Sequence, residues 1–201
     1  MTKKNGDLVR RVVIGSVCVC AIVSLSAQTG SPGNALTLLG AAIQQENIDG
    51  VIGEEWDDAG EYSLDMGRYQ AKLFLKHDGT YFYVAMEIYT GEQFAGGFEA
   101  YIFIDNGDDI YFNEGDDILS VKASDGVLVE ADFYYREMYD FEPDILAGGT
   151  CDAHGAGKYD SESGCYVFEF VRTLSTQDAR DVSMNVRDGM ALYYGWAGSN
   201  E

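Results

Sequence analysis

The stretch "YQAKLFLKHDGTYFYVAMEIY", residues 69–89, decides the fold class. Lys72 and Lys76 fall on one side of an extended chain while Ala71, Leu73 and Leu75 fall on the other, the two-residue period of a strand with one buried face. Asp78-Gly79 interrupts the run with the dipeptide of a tight hairpin turn, so the stretch reads as two antiparallel strands. Working outward, "FEAYIFID", "DILSVKA", "GVLVEADFYY", "CYVFEFVR" and "MALYYGW" repeat the style, and Ser124-Asp125-Gly126 marks a second turn. Regular alternation with helices, which would imply a parallel sheet, is missing. The expected class is all-β, an antiparallel β-sandwich, with at most one short helical turn, placed at "STQDARD" where Ser175 would cap it.

The chain has 201 residues, 46% hydrophobic and 13% aromatic, enough to bury one sizeable core. Lys3, Lys4, Arg10 and Arg11 precede the apolar run "VVIGSVCVCAIVSLSA", and the small Ser26 and Ala27 close it, so residues 1–27 read as a secretory signal peptide. The rival reading is a retained anchor, since the run approaches the roughly 17–25 residues of a membrane span; membrane contact is expected only through this segment, if uncleaved. Residues 28–45 read as a linker and 46–201 as the binding domain. The expected location is secreted or at the cell surface.

Past Ala27, nine basic residues face thirty-three acidic ones, a formal charge of −24 that repels phosphate backbones and argues against nucleic acid. Cys151 and Cys165 remain, an even count in an oxidising compartment, and a disulfide between them is the first expectation. A zinc site with His154 lacks further ligands at a familiar spacing.

In order along the chain, "IDGVIGEEWDDAGEYSL", "AKLFLKHDGTYFYVAMEI", "FIDNGDD", "GCYVFEFVRTLSTQDARDVSMN" and "GMALYYGW" resemble the family 9 type of carbohydrate-binding module. They also resemble its DOMON-like relatives, including the haem-binding subunit of ethylbenzene dehydrogenase. The motifs span Ile48 to Trp196. The resemblance implies a sandwich that binds glycan or cell-surface polymer without catalysis. Trp56 is expected to plug one end of it, and Glu169 and Arg172, three apart on a strand, to point to opposite faces.

"FIDNGDDIYFNEGDD", residues 103–117, crowds acids between aromatics. Glycosidase chemistry needs two carboxylates across a substrate, one with a raised pKa. Nothing in this glycine-rich, acid-rich run supplies that, and no phosphate loop, His-Glu-x-x-His or Gly-x-Ser-x-Gly occurs, so an enzyme is not expected. Calcium suits the donors better, with Asp105, Asn106, Asp108, Asp109, Asp116 and Asp117 as ligands on a loop of the kind the resemblance implies; a merely solvated acidic face is the alternative.

The family's sugar slot is a pair of tryptophans, and here the opening motif assigns Trp56 to the core, leaving Trp196. Tyr139 and Phe141, with Arg136 beside them, are the further ligand candidates, an aromatic-and-polar set suited to sugar rings. Haem b is the alternative cofactor: no Cys-x-x-Cys-His occurs, and Met66, Met86, Met138, Met184 and Met190 with His77, His154, Lys122 or Lys158 are the available axial ligands. A structural role with self-association into a cell-envelope filament is the third reading.

Overall fold

A computed structural model describes residues 22–24, 39–65, 68–104, 114–124, 127–137, 140–184 and 191–198. The protein is an antiparallel β-sandwich. Its strands are β1 (Ile22–Ser24), β2 (Gly60–Asp65), β3 (Gln70–His77), β4 (Tyr81–Tyr89), β5 (Phe98–Ile104), β6 (Asp117–Ser124), β7 (Val127–Glu137), β8 (Asp140–Pro143), β9 (Ala153–Asp160), β10 (Cys165–Thr173) and β11 (Ala191–Gly198). One sheet runs β1-β11-β5-β6-β7-β8 and the other β2-β3-β4-β10-β9. Both expected hairpins form: β3 pairs with β4 up to His77↔Phe82, and β6 with β7 up to Ser124↔Val127. Gly79 at φ +92° takes the left-handed conformation that the first turn requires.

Between the sheets lies the main core. Leu73, Leu75, Val84, Met86, Ile102, Leu119 and Val121 fill it alongside the stacked rings of Phe94, Phe98, Tyr166 and Phe168. Two glycines of β9 bring the sheets together. A Cβ at Gly155 would collide with Val121 and lie 2.7 Å from the Glu169 carbonyl oxygen, and one at Gly157 would lie 2.9 Å from Phe168.

The outer face of the five-stranded sheet is covered as well. Ile43, Ile48 and Trp56 pack there on Phe74, Tyr83, Ala85 and Ala156, a second small core. Trp56 therefore caps a sheet face rather than plugging an end of the sandwich, because alternation on β3 and β4 turns Phe74, Tyr83 and Ala85 outward toward it. Glu169 and Arg172 do point to opposite faces: Glu169 joins Trp56 outside, and Arg172 points inward. Leu39 bridges to His77, and residues 39–45, expected as linker, run as a strap over the sheet and continue into Glu46–Ile48.

Three further expectations are corrected. No disulfide joins Cys151 to Cys165. β9 and β10 form a hairpin that pairs Cys165 with Asp160 and Arg172 with Ala153, which puts the two cysteines at opposite ends, more than ~20 Å apart. A disulfide needs Cα atoms within about 7 Å. The α-helical turn lies at α1 (Asp144–Ala147) and not at 175–181. There Asp178 accepts the amides of Thr150 and Arg180, spending the segment on tethering its neighbour. Third, Asp116 and Asp117 are buried rather than solvated: Asp116 ends the turn before β6, and Asp117 shares the inward face of β6 with Leu119 and Val121. Among the described residues no helix is long and apolar enough to cross a membrane.

Candidate functional site

A groove of about 520 Å³ opens where the strap meets the end of the five-stranded sheet. Its walls are Gln44 and Gln45 of the strap, Asp78 and Tyr81 of the β3–β4 hairpin, and Asp152 and His154 at the start of β9, over a floor of Ile43, Tyr83 and Val171. Each wall is fixed by local chemistry. The strap is anchored by the Gly40 amide donating to the His77 carbonyl at 2.9 Å and the Ala41 amide donating to Asp58 Oδ2 at 2.6 Å. Apolar Ile43 and Ile48 then hold it down while Gln44 and Gln45 stay exposed.

Asp78 organises the hairpin tip. Its Oδ1 accepts the amides of Thr80 and Tyr81, both at 2.7 Å, and its Oδ2 accepts the Tyr83 hydroxyl at 2.8 Å. Burial opposes the charge, but the amides of Tyr81 and Thr80 and the Tyr83 hydroxyl outweigh it and hold the carboxyl below its usual range. Burial, followed by that bond to Asp78, raises the Tyr83 hydroxyl, which stays protonated and donating. The neighbouring Tyr81 ring is 42% exposed at the mouth, tilted 47° to Tyr83 with centroids 6.3 Å apart.

Behind the strap stands Lys76, 1% exposed, donating to the Glu55 carbonyl at 2.5 Å and Asp58 Oδ1 at 2.7 Å, with Nζ 5.9 Å from the ring centres of both Trp56 and Tyr83. The Lys76 bond, then the Ala41 amide, lowers the Asp58 carboxyl. This ion pair, buried at Lys76 and exposed at Asp58, fixes the strap's outer turn relative to the sheet. The arrangement suits a ligand with one flat apolar face for Tyr81 and hydroxyls for the amide, carboxylate and imidazole groups around it.

The ligand candidates read from sequence lie on the other sheet. Arg136 and Phe141 sit close together where β7 meets β8, next to the Tyr135↔Phe141 pair. Trp196 lies on β11, three strand spacings away, and its row crosses Ala100 and Val121 to reach Glu130. That row is six residues along β7 from Arg136, about 20 Å of strand. Tyr139 and the loop acids Asp105, Asn106, Asp108 and Asp109 lie outside the described residues. Of the haem-ligand candidates, Met86 and Met184 are buried in the main core, and His77 Nδ1 accepts the Gly79 amide within the hairpin turn.

Sequence reasoning missed the groove because most of its strap was read as linker. The available signal was in β4, where Tyr81 and Tyr83 share the outward side and aromatic rings on a face expected to be wet imply something lying over it.

No protein-family model matches the chain, and no curated protein matches it in sequence. Among solved structures the chain is similar to a carbohydrate-binding module of family 9 from Caldicellulosiruptor kristjanssonii in complex with glucose. That match has 18% identity and a TM-score of 0.44, covering 69% of this chain and 67% of that one. It is also similar to a family 9 module from the same organism in complex with cellotriose, at 16% identity and a TM-score of 0.45, covering 78% and 80%.

Proposed function

We propose that the protein is a non-catalytic binding module, working outside the cell, that holds a glycan or cell-surface polymer in the groove between the strap and the five-stranded sheet. The observation that carries the reading is the exposed Tyr81 ring at the mouth of a groove walled by Gln44, Gln45, Asp78, Asp152 and His154. An aromatic face flanked by neutral and anionic hydrogen-bonding groups matches the two-sided chemistry of a pyranose ring, apolar on its C–H face and polar at its rim. Asp78 and Tyr83 are locked to each other and to the turn, so that edge of the site is organised before ligand arrives, and little ordering cost falls on binding. The motif resemblance across Ile48 to Trp196 supports the glycan class.

The test is a glycan array with the full chain, then titration of retained glycans against Tyr81→Ala. The expected result is retention of a defined glycan set and a loss of roughly tenfold or more in affinity, about 1.4 kcal/mol, on removing the ring. The unfolding midpoint should change little, since the ring is half in solvent. An array without binders, or a Tyr81→Ala protein that binds like the parent, overturns the reading.

A further inference from the structure

A second polar constellation lies inside the sandwich. Asp117 opens β6 facing inward; Asp132 shares its side of the sheet as the partner of Leu119; Asp181 arrives from the segment after β10. One carboxylate oxygen from each of the three lies within 4.8 Å of the others. Arg172 is the cation among them: Nη1 pairs with Asp117 Oδ2, and Nη2 donates to the Val182 carbonyl at 3.0 Å and stands 3.9 Å from Asp181 Oδ2. One guanidinium faces three carboxylates, and a fourth, Asp144 of α1, stands against Asp181.

Asp144 makes the case independently of the cluster. It is 1% exposed, and neither of its carboxylate oxygens meets a hydrogen-bond donor. Asp117 Oδ1 and Asp132 Oδ1 are orphaned in the same way, with Asp117 0% and Asp132 5% exposed. Asp117 Oδ2 pairs with Arg172 and Asp132 Oδ2 accepts the Asp152 amide at 3.0 Å, which leaves Asp144 and one oxygen each of Asp117 and Asp132 buried without a donor, and one guanidinium does not balance four carboxylates. Burial raises all four carboxyls above their ordinary range, and Arg172 tempers this at Asp117. The outer acids differ. Asp178 is satisfied by the Thr150 and Arg180 amides, and the one Thr150 hydroxyl lies within hydrogen-bond distance of Asp152 Oδ2 at 2.8 Å and Asp178 Oδ2 at 3.0 Å. Asp152, Asp178 and Asp181 form a second triad, so a line of carboxylates leads from the surface to the buried set.

We propose that Asp117, Asp132, Asp144 and Asp181 bind one divalent cation, calcium by their all-oxygen donor set, which ties β6, β7, α1 and the segment after β10 together at one end of the sandwich. The ligands are hard carboxylates with no nitrogen or sulfur among them, and four carboxylates can supply the six to eight oxygens that calcium takes with little residual water. The site differs from the 105–109 loop and stands whether or not the groove binds glycan.

The experiment uses the full chain freed of metal with chelator. Calcium chloride is titrated by calorimetry and the thermal midpoint is read with and without it, for the parent, for Asp144→Asn, for Asp181→Asn and for the loop double variant Asp108→Asn/Asp109→Asn. The expected result is one calcium per chain, a midpoint raised by several degrees, and calcium affinity weakened roughly tenfold or more in Asp144→Asn and Asp181→Asn but kept in the loop variant. In chelator, Asp144→Asn should melt above the parent, because it removes an unpaired buried charge. A parent indifferent to calcium, single variants that bind like the parent, or a loop variant that loses binding overturns the proposal. Should neither single variant fold, anomalous scattering from parent crystals soaked in terbium decides: an ion among the four aspartates supports the site, and an ion elsewhere overturns it.

Discussion

Glu169 shows how much one side chain can organise. Its Oε1 accepts the Trp56 indole N–H at 2.8 Å, and its Oε2 accepts the amides of Asp49 at 2.8 Å and Gly50 at 2.5 Å. Three sequence motifs, the Asp-Gly opening, the tryptophan six residues after Gly50 and the Phe-Glu-Phe strand, thus meet on one carboxylate. Burial pushes this carboxyl up in pKa, against the pull of the Trp56, Gly50 and Asp49 N–H groups. Every partner is a donor, so Glu169→Gln, nearly the same in shape, must turn its own NH₂ toward the indole or toward the two amides. At about 1–3 kcal/mol for each buried group left unsatisfied, this substitution should lower unfolding free energy by about 2–4 kcal/mol in urea titration. A change under about 0.5 kcal/mol would mean that Trp56 is held by packing alone. The residues of this knot were visible in sequence, but not that they touch, since Asp49 and Glu169 lie 120 positions apart.

At the scale of elements, the strands were legible and the covering segments were not. The two-residue period on β3, β4, β6 and β10 records which side faces the core, and it placed Lys72 and Lys76 correctly on one face. The strap and its continuation to Ile48 have no period, because they pack through two isolated apolar residues, Ile43 and Ile48. The inward turn of Asp117 was equally hidden, since an aspartate after "NEGD" reads as solvated until a strand register sets its side. β9 was illegible for a different reason. Its "AHGAGKYD" has little strand propensity, and Gly155 and Gly157 are there to let the sheets approach. Gly155→Ala should therefore destabilise the fold by about 1–3 kcal/mol through overpacking against Val121 and the Glu169 carbonyl. The combination with Val121→Ala, which clears the Cγ atoms from that site, should recover part of the loss. Additive losses in the double variant would point to backbone conformation instead of the clash.

Across the whole molecule, two charge effects of opposite sign shape stability against pH. From residue 28 onward the formal charge is −24, so self-repulsion weakens the compact state at neutral pH and eases as carboxylates begin to protonate. Against this stand carboxylates lowered in the folded protein: Asp58 by Lys76, Asp78 by the turn amides and Tyr83 against its burial, Asp160 by the Ser163 hydroxyl and the Glu162 amide, and Asp178 by the Arg180 amide. A carboxyl with a folded pKa below its unfolded value adds stability that is fully present above the unfolded value, about 3.9, and is lost as pH falls through the folded one. The strap, the β3–β4 turn, the β9–β10 turn and the tether to Thr150 should therefore let go together below about pH 4. With calcium saturating, the thermal midpoint should rise modestly from pH 8 to about pH 5 and fall steeply below about pH 4. Raising sodium chloride to about 1 M, where the screening length is about 3 Å, should flatten the upper limb by screening repulsion between distant carboxylates. The acid limb should persist, because its bonds are made at contact distance. A midpoint that keeps rising below pH 4 would show that repulsion, and not these caps, governs the acid side of the curve.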